Sequence, residues 1–217
     1  MHYGILGTGV VGRTLGQKLI DIGHQVTMGS RVAGNEKAVT WAEAAGGNAS
    51  QGTFADAAAA GDVIINATPG TVSVDALTAA GAANLDGKVI IDVSNPLDFS
   101  NGMPPFLSVS NTDSTGEQLQ RAFPKAHIVK TLNTMNAKIM VAPQKLPESH
   151  NVFVNGNDSA AKRVVRTMLT EFDWADADII DLGDITASRG TEGCIQLWLS
   201  ISGAFGNSNF NLRLVRG

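Results

Sequence analysis

Residues 3–12, Tyr-Gly-Ile-Leu-Gly-Thr-Gly-Val-Val-Gly, set a Gly7-x-Gly9-x-x-Gly12 turn between a short apolar strand and an amphipathic helix. The three glycines have separate jobs: Gly7 makes the tight turn, Gly9 lets the backbone approach a pyrophosphate, and Gly12 lets the helix sit close on the sheet. The free N–H groups at the helix start and the positive end of its dipole attract an anion without any lysine. Thr14, Leu15, Lys18 and Leu19 continue the helical period, and Gly23-His24 closes it before a second strand, Gln25-Val26-Thr27-Met28. In that context Gly7, Thr8, Gly9, Val10, Val11 and Gly12 are candidates for holding the phosphates of a dinucleotide; the bland alternative is a turn that is merely tight.

The end of the second strand chooses the dinucleotide. An NAD site places an acid about 20 residues past the glycines to accept from the ribose 2′-hydroxyl, whereas a 2′-phosphate needs cations and hydroxyls. Here the chain has Gly29-Ser30-Arg31, and the next acid is Glu36. Arg31 can fork two N–H groups onto phosphate oxygens, Ser30 can add a third donor and Lys37 further charge, which favours NADP. The alternative is a solvated Arg31 with Ser30 capping a helix.

Composition narrows the class. With 217 residues, a net charge of −4 and one cysteine, Cys194, the chain reads as a globular enzyme subunit with no internal disulfide. The acidic balance argues against a nucleic-acid surface or a basic membrane patch, and no apolar run reaches the 18 or so residues of a membrane span. The expectation is a cytoplasmic protein whose partner is a small-molecule redox substrate. Cys194 is expected to be a small core residue.

Strand and helix patterns alternate along most of the length. Helices are expected over 36–45, 54–60 and about 72–82, with buried strands at 62–67 and 88–93. The stretch 95–112 reads as a long loop with three prolines. Ser114 and Glu117 have capping-box spacing at the start of a helix to Phe123, followed by a strand over 127–132. Strands at 151–154 and 179–182 bracket a helix over 159–172, and the pattern is helical again from Thr186 to about Phe205. This order predicts an α/β fold, a doubly wound parallel sheet with right-handed crossovers.

Ligands bind such sheets at the C-terminal ends of the strands. Three loops fall there: Thr68-Pro69-Gly70, Ser94-Asn95-Pro96-Leu97 and Lys130-Thr131-Leu132-Asn133-Thr134-Met135. Thr68 and Pro69 are placed beside the adenosine ribose and pyrophosphate, and Asn95, Pro96, Asn133, Thr134 and Met135 beside the nicotinamide, where amides and hydroxyls match a carboxamide. Each loop taken singly is also an ordinary turn. None of the four histidines stands beside an obvious acid at a strand end, and no His, Cys or carboxylate spacing reads as metal, so no catalytic or metal-binding residue is assigned. Lys130 is either a proton donor or a buried strand-end ion. Arg189 and Glu192, one helical turn apart, suggest an intrahelical or dimer-interface ion pair, with substrate contact as the alternative. The apolar run around Leu197, Trp198, Leu199 and Ile201 suits a subunit interface, and Trp198 could instead wall a second ring site.

The motifs Gly29-Ser30-Arg31, Ser94-Asn95-Pro96-Leu97, Lys130-Thr131-Leu132-Asn133-Thr134 and Ser188-Arg189-x-x-Glu192 occur in the order and spacing of the NADP oxidoreductases typified by the F420-dependent NADP reductase of archaea, which the chain resembles over nearly its whole length. The family is also similar to the NADPH-binding half of certain membrane ferric reductases, which use flavin. The resemblance implies a Rossmann domain over residues 1–183, a small helical part over 184–217 for dimerisation or the substrate side, and a homodimer. It also implies hydride exchange between NADPH and coenzyme F420 or a flavin. Thr68-Pro69-Gly70 departs from the archaeal type, where a bulky aromatic commonly follows the proline, and the 95–112 loop is this chain's own, so the second substrate stays open. A ring-to-ring hydride transfer needs positioning more than acid–base help. Alternatives are a non-catalytic NADP-binding sensor, or a reductase of another small molecule that would need a proton donor.

Overall fold

The computed structural model describes residues 1–217. Ten strands and nine helices alternate in it. In chain order they are β1 (His2–Leu6), α1 (Val10–Asp21), β2 (Gln25–Ser30), α2 (Glu36–Ala45), β3 (Ala49–Thr53), α3 (Phe54–Ala60) and β4 (Val63–Asn66). Then follow α4 (Ser73–Ala80), α5 (Ala82–Leu85), β5 (Val89–Asp92), β6 (Leu97–Asp98), β7 (Phe106–Leu107), α6 (Thr115–Ala122) and β8 (His127–Thr131). The chain ends with α7 (Ala137–Met140), β9 (Val152–Gly156), α8 (Ser159–Glu171), β10 (Ile179–Asp181) and α9 (Ser188–Phe205).

Eight strands form one sheet in the order β10-β9-β8-β5-β4-β1-β2-β3. From β1 the chain winds outward to β3, then crosses back to lay β4 against the other side of β1, so a switch point opens above the C-terminal ends of β1 and β4. Six strands are parallel, but β9 runs antiparallel to β8 and β10 follows β9. The expected doubly wound parallel sheet is found, with its β9–β10 edge reversed. The β8–β9 connection contains α7 and no full crossover helix, which allows the reversal.

The strands are apolar because both faces are covered. Ile5, Ile65, Ile91 and Val129 point into a core shared with Leu15 and Leu19 of α1, Trp41 of α2, Ile139 of α7 and Leu169 of α8. Their neighbours Leu6, Ile64, Ile90 and Ile128 point the other way, against Phe54 of α3, Leu77 of α4 and Leu119 of α6. Each such isoleucine or leucine contributes about 1.5–3 kcal/mol by burial. On α1 the buried residues Gly12, Leu15, Gly16 and Leu19 recur at the three- and four-residue spacing of one helical face.

Several elements differ from the sequence expectation. The segment Ala49-Ser-Gln-Gly-Thr is an edge strand, β3, with a polar sequence that carries no alternation. The 95–112 stretch contains the small β6–β7 hairpin. The helix expected over 72–82 divides at Gly81 into α4 and α5. The α6 cap is half a capping box: the Ser114 hydroxyl accepts from the Glu117 N–H, but the Glu117 carboxylate turns to the Ser114 hydroxyl and to Arg189. Cys194 is half-buried and not a core residue, and burial pushes its thiol pKa up.

Candidate functional site

The glycine turn joins β1 to α1 at the switch point. Gly7 has φ 120°, where a side chain is strained, and a Cβ there would lie 2.6 Å from the Ala67 carbonyl oxygen. A Cβ on Gly12 would strike the Gly7 carbonyl oxygen, whereas at Gly9 it would meet nothing within 4 Å. The first turn of α1 has no side-chain cap and no acid; the first of its N–H groups to find a helical partner is that of Arg13, on the Gly9 carbonyl. The amides of Val10 and Val11 are left for a ligand, as an anion requires. The Arg13 guanidinium donates to the Thr8 carbonyl at 2.8 Å and steadies the turn.

Beside it, at the end of β2, Ser30 is buried and donates its hydroxyl to the Val32 carbonyl at 2.5 Å, shaping the turn. Arg31 and Lys37 are exposed and make no ion pair, so their charges are available. Asn35, rather than Ser30, caps α2, its side chain accepting from Lys37 and Ala38.

Further along the sheet the three loops do converge. Thr68 is buried and Pro69 exposed; the Gly70 N–H donates to the Asn95 carbonyl at 2.9 Å. Asn95 donates to the Asn133 carbonyl at 2.8 Å, and the Asn133 amide donates back to Asn95 Oδ1 at 2.9 Å and to the Thr191 carbonyl of α9 at 3.0 Å. Pro96, Asn133, Thr134 and Met135 are all buried. Leu132, itself buried, takes φ 62°, a left-handed conformation that is costly for a leucine and turns the chain into Asn133.

Beneath these loops lies a polar layer of which the sequence reading reached only Lys130. Asn66, Asp92, Lys130 and Asn155 are register partners across β4, β5, β8 and β9, and all four are wholly buried. Asn66 donates to Asp92 at 2.9 Å; Lys130 Nζ lies 2.8 Å from Asp92, 2.7 Å from Glu192 and 2.6 Å from the Ser94 carbonyl. Burial works to lower the Lys130 pKa, and the attraction of Asp92 and Glu192 outweighs it, so the pKa is raised. Of the two readings of Lys130, the structure shows the buried strand-end ion. Glu192 also accepts from the Thr115 and Gly116 N–H groups at the start of α6, so a helix dipole balances the second carboxylate. The signal was present as a polar residue ending each apolar strand: Val-Ile-Ile-Asn, Val-Ile-Ile-Asp, Ile-Val-Lys-Thr and Val-Phe-Val-Asn.

Arg189 and Glu192 do not pair with each other: Arg189 pairs with Glu117 at 2.5 Å. Two histidines do have acidic partners, contrary to the sequence expectation. His24 lies 3.0 Å from Glu171 and His127 3.9 Å from Asp158. Both histidines stand where strands begin, at the edge of the sheet opposite the glycine turn. Trp198 stacks on Phe210 with ring centroids 5.4 Å apart. No helix is long and apolar enough to cross a membrane.

A family model described as NADP oxidoreductase coenzyme F420-dependent matches residues 2–96. The solved structure of a candidate F420-dependent NADP reductase from Arthrobacter sp. FB24 is similar over 99% of this chain and 99% of that chain, with 48% identity and a TM-score of 0.92. A hypothetical protein from Sinorhizobium meliloti is 26% identical, over 100% of this chain and 96% of that one, at a TM-score of 0.71. A reductive aminase from Aspergillus terreus in complex with NADPH and ethyl levulinate shares the fold at a TM-score of 0.67, with 20% identity over 94% of this chain and 62% of that one. Matched along nearly its whole length at 48% identity, with its glycine turn inside the span of the family model, this chain belongs to the family of coenzyme F420-dependent NADP oxidoreductases.

Proposed function

We propose that the protein transfers a hydride between NADP(H) and a deazaflavin of the F420 type or a flavin. In this reading the pyrophosphate sits on the uncapped start of α1, against Gly9 and the amides of Val10 and Val11, with Gly7, Thr8 and Gly12 shaping the turn. Arg31 and Lys37 take the 2′-phosphate while Ser30 holds the turn that presents Arg31. Thr68 and Pro69 border the ribose, and Asn95, Pro96, Asn133, Thr134 and Met135 form the floor under the nicotinamide.

Bound there, NADPH supplies the hydride. The chain's own part is to hold one ring flat, leave its other face open to a second ring and keep water out, which is where catalysis of such a transfer resides. The observation that carries this reading is the state of the ionisable groups below the floor. Asp92 and Glu192 flank the buried Lys130 ammonium, whose protons are committed to them and to the Ser94 carbonyl, so the three serve as structure rather than as a proton source. Reduction of a carbonyl or imine needs such a proton, and transfer to a deazaflavin or flavin ring does not depend on one from the protein.

Segment 184–217 belongs to the acceptor side in this proposal, and the exposed Leu197 and Phe205, with the Trp198–Phe210 stack, are the face of a homodimer. A single cysteine and an NADP-linked reaction fit the cytoplasm.

The test follows the NADPH absorbance band after adding F420, FMN or a cyclic imine to the purified protein. Oxidation with F420 or FMN is the expected result; oxidation with the imine alone overturns the acceptor class, and tight NADPH binding with no oxidation by any acceptor favours a nucleotide sensor.

A further inference from the structure

Asn95 and Asn133 stand where the nicotinamide carboxamide would be read, yet most of their side-chain hydrogen bonds go to the protein, Asn133 Oδ1 being left without a protein partner. Both polar atoms of the Asn95 amide face Asn133: Nδ2 donates to the Asn133 carbonyl at 2.8 Å and Oδ1 accepts from Asn133 Nδ2 at 2.9 Å. The remaining proton of Asn133 Nδ2 goes to the Thr191 carbonyl at 3.0 Å, and the Asn95 carbonyl accepts from the Gly70 N–H at 2.9 Å. One reciprocal pair therefore ties the loops after β4, β5 and β8 to the first turns of α9.

The polar rung below fixes the same loops from underneath. Asn66 Oδ1 accepts the Thr68 hydroxyl at 2.7 Å, while Asp92 accepts the Ser94 N–H at 3.1 Å and Lys130 donates to the Ser94 carbonyl at 2.6 Å. The left-handed Leu132 turns the chain directly into Asn133. A strained buried leucine persists where surrounding bonds over-determine it, and such strain collects at sites that need a fixed geometry.

We infer that Asn95 and Asn133 are positioning residues for hydride transfer, an amide-to-amide clamp that makes the nicotinamide floor rigid. The inference rests on the NADPH-dependent reading above. It separates affinity from rate: the adenosine half supplies the grip through Arg31 and the start of α1, and the clamp sets the height and tilt of the ring. A reacting group displaced by about 1 Å loses on the order of 100-fold in rate.

The experiment compares wild type with Asn95→Asp, which keeps the size and turns the donor that faces the Asn133 carbonyl into a second acceptor, and with Asn133→Ala. NADPH is titrated while the fluorescence anisotropy and lifetime of the bound dihydronicotinamide are read. Turnover is then measured with FMN and F420, using NADPH deuterated on either face of the ring. The expected result is a Kd within a few-fold of wild type, a Tm only a few degrees lower, a shorter bound-state lifetime, kcat lower by about 100-fold, and transfer leaking to the wrong face. Variants that keep the wild-type lifetime and facial selectivity overturn the clamp, as do variants whose NADPH affinity falls in step with kcat. A wild type that binds NADPH but reduces neither acceptor overturns the proposed acceptor class instead, and the lifetime comparison, which needs no turnover, still decides the clamp. A wild type that binds no NADPH overturns both.

Discussion

Lys130 Nζ lies 2.7 Å from Glu192 Oε1, with the lysine side chain wholly buried and the glutamate 3% exposed. This contact joins the central sheet to α9, residues 62 positions apart in sequence. Asp92 holds the same ammonium at 2.8 Å. Two carboxylates against one cation would leave a buried negative charge, and the Thr115 and Gly116 N–H groups offset it.

Because each partner is already desolvated, removing one leaves the others stranded. Lys130→Met leaves Asp92 and Glu192 facing each other and should destabilise the fold by about 3–5 kcal/mol. Urea unfolding checks this, and a loss under about 1 kcal/mol would show that the pair is solvated or dispensable.

Gly9 and Gly12 should respond in opposite ways to alanine. At Gly12 the new Cβ strikes the Gly7 carbonyl and pushes α1 off the turn, so stability drops by about 1–3 kcal/mol. At Gly9 it enters open space, so Tm holds while NADPH affinity falls because the pyrophosphate is kept away. Thermal melts and NADPH titration on both variants check the contrast; a Gly9→Ala protein with undiminished affinity would place the pyrophosphate elsewhere.

Arg31→Ala should separate NADPH from NADH. Charge-assisted bonds to a 2′-phosphate are worth about 1.5–3 kcal/mol, roughly 10- to 100-fold in Kd, and NADH has no such group to lose. Calorimetric titration with both nucleotides decides it, and an equal loss for the two sinks the assignment of Arg31.

Acid should remove one surface contribution in a defined window. The hydrogen bonds from Arg121 hold the Asp113 carboxyl down to about 2, against the opposing effect of its partial burial. A carboxylate with a depressed pKa stabilises the fold above the ordinary aspartate range and stops doing so as pH falls through its folded value. Wild type should therefore exceed Arg121→Gln in stability at neutral pH, with the gap closing as pH falls to about 2. A gap independent of pH, measured by chemical unfolding across that range, would show that Arg121 acts through packing alone.

The nucleotide crevice was legible because its signals are local. A Gly-x-Gly-x-x-Gly turn after Gly4-Ile5-Leu6, and apolar strands such as Val63-Ile64-Ile65, announce themselves within a few residues. The three loops after β4, β5 and β8 could be named as neighbours because parallel strands place their ends on one edge. Ala49–Thr53 escaped because this edge strand, largely half-buried, is made of small and polar residues with no apolar alternation to mark it. The reversal of β9 depends on the path of the β8–β9 connection, which no composition records. Spacing along a helix suggested Arg189 with Glu192, but each found a partner on another element, Glu117 for one and Lys130 for the other. His24 likewise meets Glu171 from the far end of α8.

By itself the amino-acid order determined the doubly wound core and the glycine turn, since hydrophobic periodicity and the steric needs of a tight turn act over a few residues. Only the tertiary structure decided that Lys130 is a buried ion and that Asn95 and Asn133 hydrogen-bond to each other. Those outcomes depend on which side chains meet across strands, and on the expense of leaving a charge or an amide unpaired once water has been excluded.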